Sequence, residues 1–178
     1  MPNMKRSNAS AAATVTVGAM VVATVLSGCG VVRGIMNDGV TDPITPEQSK
    51  TQVIDAAKDI VGILNLPVQS ATFWRSSCND QGEAPFRGRM LISYPLAPSF
   101  EASDAEVARW VEQLKTQGWT TDPTAHTHGA LLTKNGVSAT FGPQSVSDTQ
   151  RDLELLGECR DLTTTKQTAG GNEDISLR

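Results

Sequence analysis

Residues 130–141 have the sequence ALLTKNGVSATF, and this stretch indicates the fold most strongly. Asn135-Gly136 is the residue pair most typical of a type I′ turn, and a short strand-like run lies on each side of it. We therefore predict a β-hairpin with strands over 130–134 and 137–141. The alternate residues beginning with Val137 would face the core, because every second side chain of a strand points to the same side.

Two amphipathic helices are predicted upstream of the hairpin. Thr45-Pro46-Glu47-Gln48 has the pattern of a capping box with proline at the first helical position, so helix one should run from Pro46 to about Leu64. Ser103-Asp104-Ala105-Glu106 has the same capping pattern, and helix two should end with Gly118 in the C′ position. Apolar residues recur at three- and four-residue steps in both segments, which predicts that each helix packs one side on a sheet.

Three further segments show strand-like patterns: 68–76, 86–94 and 152–160. The last alternates as a half-buried strand, with a helix as the open alternative. The order α-β-β-α-β-β-β predicts an α+β domain: one antiparallel sheet of about five or six strands, with or without one more short strand, and two helices packed on one face. Trp110 and Trp119 are expected in its core.

The first 29 residues have the features of a lipoprotein signal. Lys5 and Arg6 precede an uncharged run over 11–26 that is shorter than the ~20 residues a transmembrane helix needs. Leu26-Ser27-Gly28-Cys29 then resembles the lipobox of bacterial lipoproteins. That resemblance implies cleavage before Cys29 and lipid on its thiol, with an ordinary secretory signal as the alternative.

The predicted organisation therefore has four parts: a signal peptide over 1–28, a lipidated N-terminus and flexible tether over 29–45, an α+β domain over 46–162, and a disordered tail over 163–178. Loss of residues 1–28 moves the formal charge from −4 to about −6. An acidic domain without clustered Lys and Arg is a poor candidate for binding nucleic acid or an anionic lipid surface. We expect no nucleic-acid partner.

Cys78 and Cys159 remain after lipidation of Cys29, and an exported protein can form disulfides. We predict that they pair, with two free buried thiols as the alternative. Neither has the Cys-x-x-Cys spacing or the activating neighbour of a catalytic thiol.

Few residues suggest a ligand or a reaction. His126 and His128 are weak metal ligands because their loop offers no helical spacing and no fourth ligand, so a solvated loop is the simpler interpretation. Trp74, beside Arg75 at a strand end, is a candidate binding surface. No signature of a common hydrolase or nucleotide enzyme is present, and we expect no cofactor and no catalytic residue.

Short strings around Trp74, Gly118-Trp119, Asn135-Gly136 and Gly157-Glu158-Cys159-Arg160 resemble the LppA-like lipoproteins of mycobacteria, LppV among them, over residues 45–162. The resemblance implies a lipid-anchored envelope protein with paired cysteines and no established enzymatic role.

The sequence thus predicts a lipoprotein on the extracytoplasmic side of the cell membrane. Its domain would be a non-enzymatic binding or structural module for an envelope protein, a glycan or a lipid. An enzyme of unrecognised type and a metal-binding envelope lipoprotein are the alternatives.

Overall fold

The computed structural model describes residues 39–121 and 129–177. Its elements, in chain order, are α1 (Pro46–Leu64), β1 (Ser70–Ser77), β2 (Phe86–Tyr94), α2 (Phe100–Lys115), β3 (Thr120–Thr121), β4 (Ala130–Lys134), β5 (Val137–Phe141), β6 (Arg151–Leu156) and β7 (Glu173–Asp174). In this part of the chain, neither helix is long and apolar enough to cross a membrane.

The strands form a single sheet in the order β3-β4-β5-β6-β2-β1-β7, in which each strand pairs antiparallel with its neighbours. The buried apolar side chains of the strands lie on one face, where α1 packs mainly on β2 and α2 mainly on β4. The predicted α+β class is confirmed. The described sheet has seven strands rather than five or six, because β3 and β7 have two residues each and are too short to show periodicity.

Helix α1 has the predicted bounds and cap. The Thr45 hydroxyl accepts from Gln48 N at 3.1 Å, and Thr45 N donates to the Gln48 side chain at 2.8 Å. The helix lies very close to the sheet at Gly88, whose N–H donates to Ser49 Oγ at 2.7 Å. A Cβ at Gly88 would lie 2.6 Å from the Ser49 carbonyl oxygen, so this approach requires glycine.

The predicted start of α2 is wrong. The helix begins at Phe100 with Ser99 as N-cap, whose hydroxyl accepts from Ala102 N at 3.1 Å. Ser103 is buried inside the first turn, so the capping-box pattern that begins there does not open the helix. The C-cap is Thr116, so Gly118 is the second residue after the cap and not the first, as was predicted. Its φ of +86° turns the chain toward Trp119.

The strand predictions hold with small shifts. β2, β4 and β5 have the predicted bounds, whereas β1 begins at Ser70 rather than at residue 68. The last apolar segment is a strand and not a helix, but it ends at Leu156. Asn135 and Gly136 form the β4–β5 turn with φ of +50° and +77°, as a type I′ turn requires.

Both segments predicted to be flexible are partly attached to the domain. The tail predicted as disordered over 163–178 is packed: β7 pairs with β1, and Ile175 N donates to Ala71 O at 2.8 Å. Buried Asp161 orders the start of the tail by accepting hydrogen bonds from Thr163 and Thr164. In the predicted tether, Ile44 N donates to Arg160 O at 3.0 Å. The tail is held by one two-residue strand and by hydrogen bonds to one carboxylate. Neither produces a periodic pattern in the sequence, so the order of the tail was not predicted.

Candidate functional site

Several predicted site residues lie outside the described residues. These are the lipobox and its cysteine, Leu26, Ser27, Gly28 and Cys29, and the weak metal candidates His126 and His128. Within 39–121 and 129–177, no cluster of three His, Cys, Asp or Glu side chains could hold a metal ion.

The predicted disulfide is present. Cys78 and Cys159 are bonded with an S–S distance of 2.02 Å and a Cα–Cα distance of 6.0 Å. Cys78 directly follows β1, and Cys159 lies three residues beyond β6 rather than inside the last strand. The bond therefore joins the two chain segments that leave the same end of the sheet.

Trp74 and Arg75 do not form one surface. Successive strand residues point to opposite faces, so Trp74 lies on the face away from the helices and Arg75 on the helix side. Arg75 has a side chain only 13% exposed and forms ion pairs with Glu47 of α1 and Glu173 of β7. Its role is structural, and this part of the prediction is wrong.

The face of the sheet away from the helices is the candidate binding surface, and we call it the open face. The cross-strand register places Arg89 opposite Trp74, and Arg89 stacks on the indole ring with its guanidinium carbon 5.0 Å from the ring centroid. Arg89 also forms an ion pair with Glu154 of the neighbouring strand β6. The other half-buried members of this face on β2, β5 and β6 are Leu91, Ser138, Thr140, Asp152, Leu156 and Arg87.

Arg87 and Ser76 form the end of the open face nearest the disulfide. The two residues are paired directly across strands β1 and β2. Among the described residues, neither the Ser76 hydroxyl nor Arg87 Nε has a hydrogen-bond partner, although both atoms are buried. Burial and then the neighbouring charge of Arg89 lower the pKa of Arg87, and Glu154 offsets part of this effect.

A second arginine, Arg151, is buried on the opposite face. Its side chain is 5% exposed, and its guanidinium carbon contacts the rings of both Tyr94 and Trp110, at 4.7 and 5.5 Å from their centroids. Arg151 Nε donates to Pro95 O at 2.9 Å. Glu106 Oε2 is 2.6 Å from Arg151 Nη2, but off the N–H direction, so the charges attract without an aligned hydrogen bond.

Tyr94 lies beside this arginine, and its hydroxyl has no hydrogen-bond partner in the described part of the chain. Burial raises the pKa of Tyr94 to about 12, although the positive charge of Arg151 acts in the opposite direction. The ring packs edge-on against Trp110, with centroids 5.6 Å apart. Arg151, Glu106 and Tyr94 therefore form a packed interior cluster.

One polar groove of about 400 Å³ lies between α1 and the β4–β5 turn. Its wall contains Asp59, whose Oδ2 accepts from Trp119 Nε1 at 3.1 Å and from Lys134 Nζ at 2.8 Å. Trp119 is 1% exposed, as expected of a core residue. Asp59 Oδ2 thus accepts from two donors, one directly before β3 and one on β4, which fix α1 to this end of the sheet.

Arg151, Arg87 and Ser76 were missed by the sequence reasoning. Arg151 is in phase with Leu153 and Leu155, so a charged residue at a core-facing position of a strand was the available signal. Arg87 and Ser76 gave no signal, because their lack of partners depends on the pairing of β1 with β2.

These features define an α+β domain with one buried and one open sheet face, closed at one end by a disulfide. Residues 45–178 match the family described as "Putative lipoprotein LppJ". The chain belongs to this family of mycobacterial lipoproteins. Lipoproteins LppJ of Mycobacterium bovis (strain ATCC BAA-935 / AF2122/97) and of Mycobacterium tuberculosis (strain ATCC 25618 / H37Rv) are each 32% identical over 155 residues, which cover 82% of this chain and 81% of theirs. No solved structure matches the chain.

Proposed function

We propose that the chain is a lipid-anchored lipoprotein on the outer face of the cytoplasmic membrane, and that its domain is a binding module rather than an enzyme. Residues 1–28 would be the signal peptide, and Cys29 would carry the lipid. The family name and the lipobox support the anchor. Two or more acyl chains on Cys29 would make it stable, since one chain binds membranes only marginally. The likeness to LppA-like proteins stays a prediction.

Cell fractionation with labelled palmitate tests the anchor. The wild-type chain should incorporate label, lose residues 1–28 and sediment with membranes. A Cys29→Ala variant should take up no label and keep its signal peptide. A Cys29→Ala chain that is processed normally and remains equally membrane-bound would contradict this proposal.

The open face is the proposed binding surface. In the described chain both helices pack on the other face, and no helix or strand packs on this one. It presents an aromatic ring, paired charges and hydroxyl groups, which are groups that orient a ligand. Asp59 in the groove and Glu106 in the Arg151 cluster are each paired with a basic side chain of the domain, which favours binding over catalysis.

Hydroxyl-radical footprinting tests this surface without any mutation. Trp74, Leu91 and Leu156 should be oxidised in the purified protein and protected in intact cells. Leu96 and Phe100, which are 41% and 44% exposed away from the open face, serve as internal controls and should be oxidised equally in both. Equal oxidation of Trp74, Leu91 and Leu156 in cells and in the purified protein would contradict the proposal.

A further inference from the structure

The guanidinium of Arg87 lacks the carboxylate partner that four other arginines of the described chain have. Arg75, Arg89, Arg151 and Arg160 each form an ion pair with a carboxylate. For Arg87, no described residue supplies an ion pair or a hydrogen bond, and its half-buried side chain leaves Nε out of contact with solvent. A buried polar atom without a hydrogen-bond partner is unfavourable, so such atoms are commonly paired or occupied by a ligand.

The immediate surroundings of Arg87 suit an anion. Ser76, directly opposite, adds a second buried donor without a described partner. The further charges that act on Arg87 are those of Arg89 and Glu154, which are paired with each other. Arginine stays protonated at physiological pH despite the lowered pKa, so the pair offers a full positive charge and a hydroxyl.

We propose that Ser76 and Arg87 bind the phosphate group of a phosphate ester on the open face. This inference rests on the proposed binding role of that face. A planar guanidinium binds phosphate oxygens in a bidentate manner, and a neighbouring hydroxyl can donate to a third oxygen. A single phosphate group can be bound by one local pair of donors. The net acidic charge of the domain is therefore compatible with this site, which needs no extended basic patch.

The described N-terminal segment, from residue 39 onward, contacts the domain near this site. Arg160 Nε donates to Asp42 O at 2.6 Å, and Asp161 bridges to Phe86, the neighbour of Arg87. The segment arriving from Cys29 therefore joins the domain at the end of the sheet where Ser76 and Arg87 lie. Twelve residues separate Cys29 from Asp42, a reach of at most about 47 Å. Phospholipid headgroups and soluble phosphate esters are both accessible to such a site.

The experiment follows the Nε–Hε resonances of arginines in the full-length lipoprotein, labelled with ¹⁵N-arginine and held in a maltoside detergent without phosphate. Inorganic phosphate is the probe. The Arg87 resonance, assigned by its loss in Arg87→Gln, should shift and saturate at millimolar phosphate. Ser76→Ala should weaken binding about tenfold, because a hydrogen bond to a charged group is lost. Arg109→Gln, at an exposed arginine of α2, is the matched control and should leave the titration unchanged.

Two bilayers separate the sources of the phosphate. In phosphatidylglycerol bilayers, an Arg87 resonance that is already shifted and insensitive to added phosphate indicates a lipid headgroup. An Arg87 resonance that still shifts with added phosphate in phosphatidylglycerol, as in phosphate-free digalactosyldiacylglycerol bilayers, indicates a soluble ester. Either result supports the site.

An Arg87 resonance that does not move with phosphate, and is the same in both bilayers, overturns the inference. The dispersed resonances of the other arginines report that the protein is folded in each case. If Trp74 and Leu91 are nevertheless protected from oxidation in intact cells, the open face retains its binding role and only the phosphate assignment fails. If these residues are also oxidised equally in cells and in the purified protein, both proposals fail.

Discussion

Replacing Glu106 by Gln should destabilise the domain, because it leaves the Arg151 guanidinium buried without a counter-charge. The two side chains are 5% and 29% exposed, so water screens their attraction only in part. Breaking a fully buried pair costs about 3–5 kcal/mol, and for this partly hydrated carboxylate we expect about 2–3 kcal/mol. The residual contacts of Arg151 with Pro95 O and the two rings would remain.

A double-mutant cycle with Arg151→Met isolates the pair. The single Arg151→Met variant should cost about 3 kcal/mol, since it removes the ion pair and the hydrogen bond to Pro95 O. In the double variant no charge is left unpaired, so its cost should fall short of the sum of the single costs by about 1–2 kcal/mol.

Urea unfolding followed by far-ultraviolet circular dichroism measures these costs. Glu112→Gln is the matched control: Glu112 is an exposed carboxylate on the same helix, paired with Lys115, and its loss should change the free energy of unfolding by less than about 0.5 kcal/mol. The reasoning is refuted if Glu106→Gln behaves like Glu112→Gln, or if the two single costs add within about 0.5 kcal/mol.

Further predictions concern the core, the helix–sheet contact and the disulfide. Tyr94→Phe should keep the free energy of unfolding or raise it by about 1 kcal/mol, because it removes a buried hydroxyl without a described partner; a clear loss in thermal melts would contradict this. From pH about 10 to 12, wild type should lose about 2 kcal/mol relative to Tyr94→Phe, since the unfolded phenol releases its proton near 10 while the folded one keeps it to about 12; parallel pH curves would be the opposite result. Gly88→Ala should cost about 1–3 kcal/mol because its methyl group would meet the α1 backbone, whereas Gly171→Ala, with open space around it, should be nearly neutral; equal melting temperatures would exclude the close contact. Replacing Cys78 and Cys159 by Ala should lower the free energy of unfolding by about 4 kcal/mol through release of a long closed loop, and an unchanged urea midpoint would show that the bond adds no stability.

Most of the fold could be predicted because its signals are local. The capping box at Thr45 and the Asn135-Gly136 turn are each specified by a few adjacent residues, and the structure has them as predicted. The start of α2 was misplaced because two serines that can act as N-cap, Ser99 and Ser103, lie four residues apart, and only Ser103 is followed by the Glu of a capping box. The choice between them depends on burial of Ser103 against the sheet, which is a tertiary effect.

The candidate site was less predictable, since it depends on contacts between distant residues. Trp74 could be identified as a surface aromatic, but its stacking partner Arg89 comes from another strand. The order of the tail follows from pairing with β1 about 100 residues earlier, which no pattern in 163–178 indicates. Arg75 is different: strict alternation along β1 already places it opposite Trp74, and applying that rule would have corrected the prediction.

The open face as the binding surface is best tested by photo-crosslinking in intact cells. A photoreactive amino acid at Thr140, half-buried on the open face of β5, is compared with the same residue at Lys58, exposed on α1. The account predicts a covalent adduct with an envelope component from position 140 and none from position 58. Adducts from position 58 alone, or in equal yield from both positions, would contradict it.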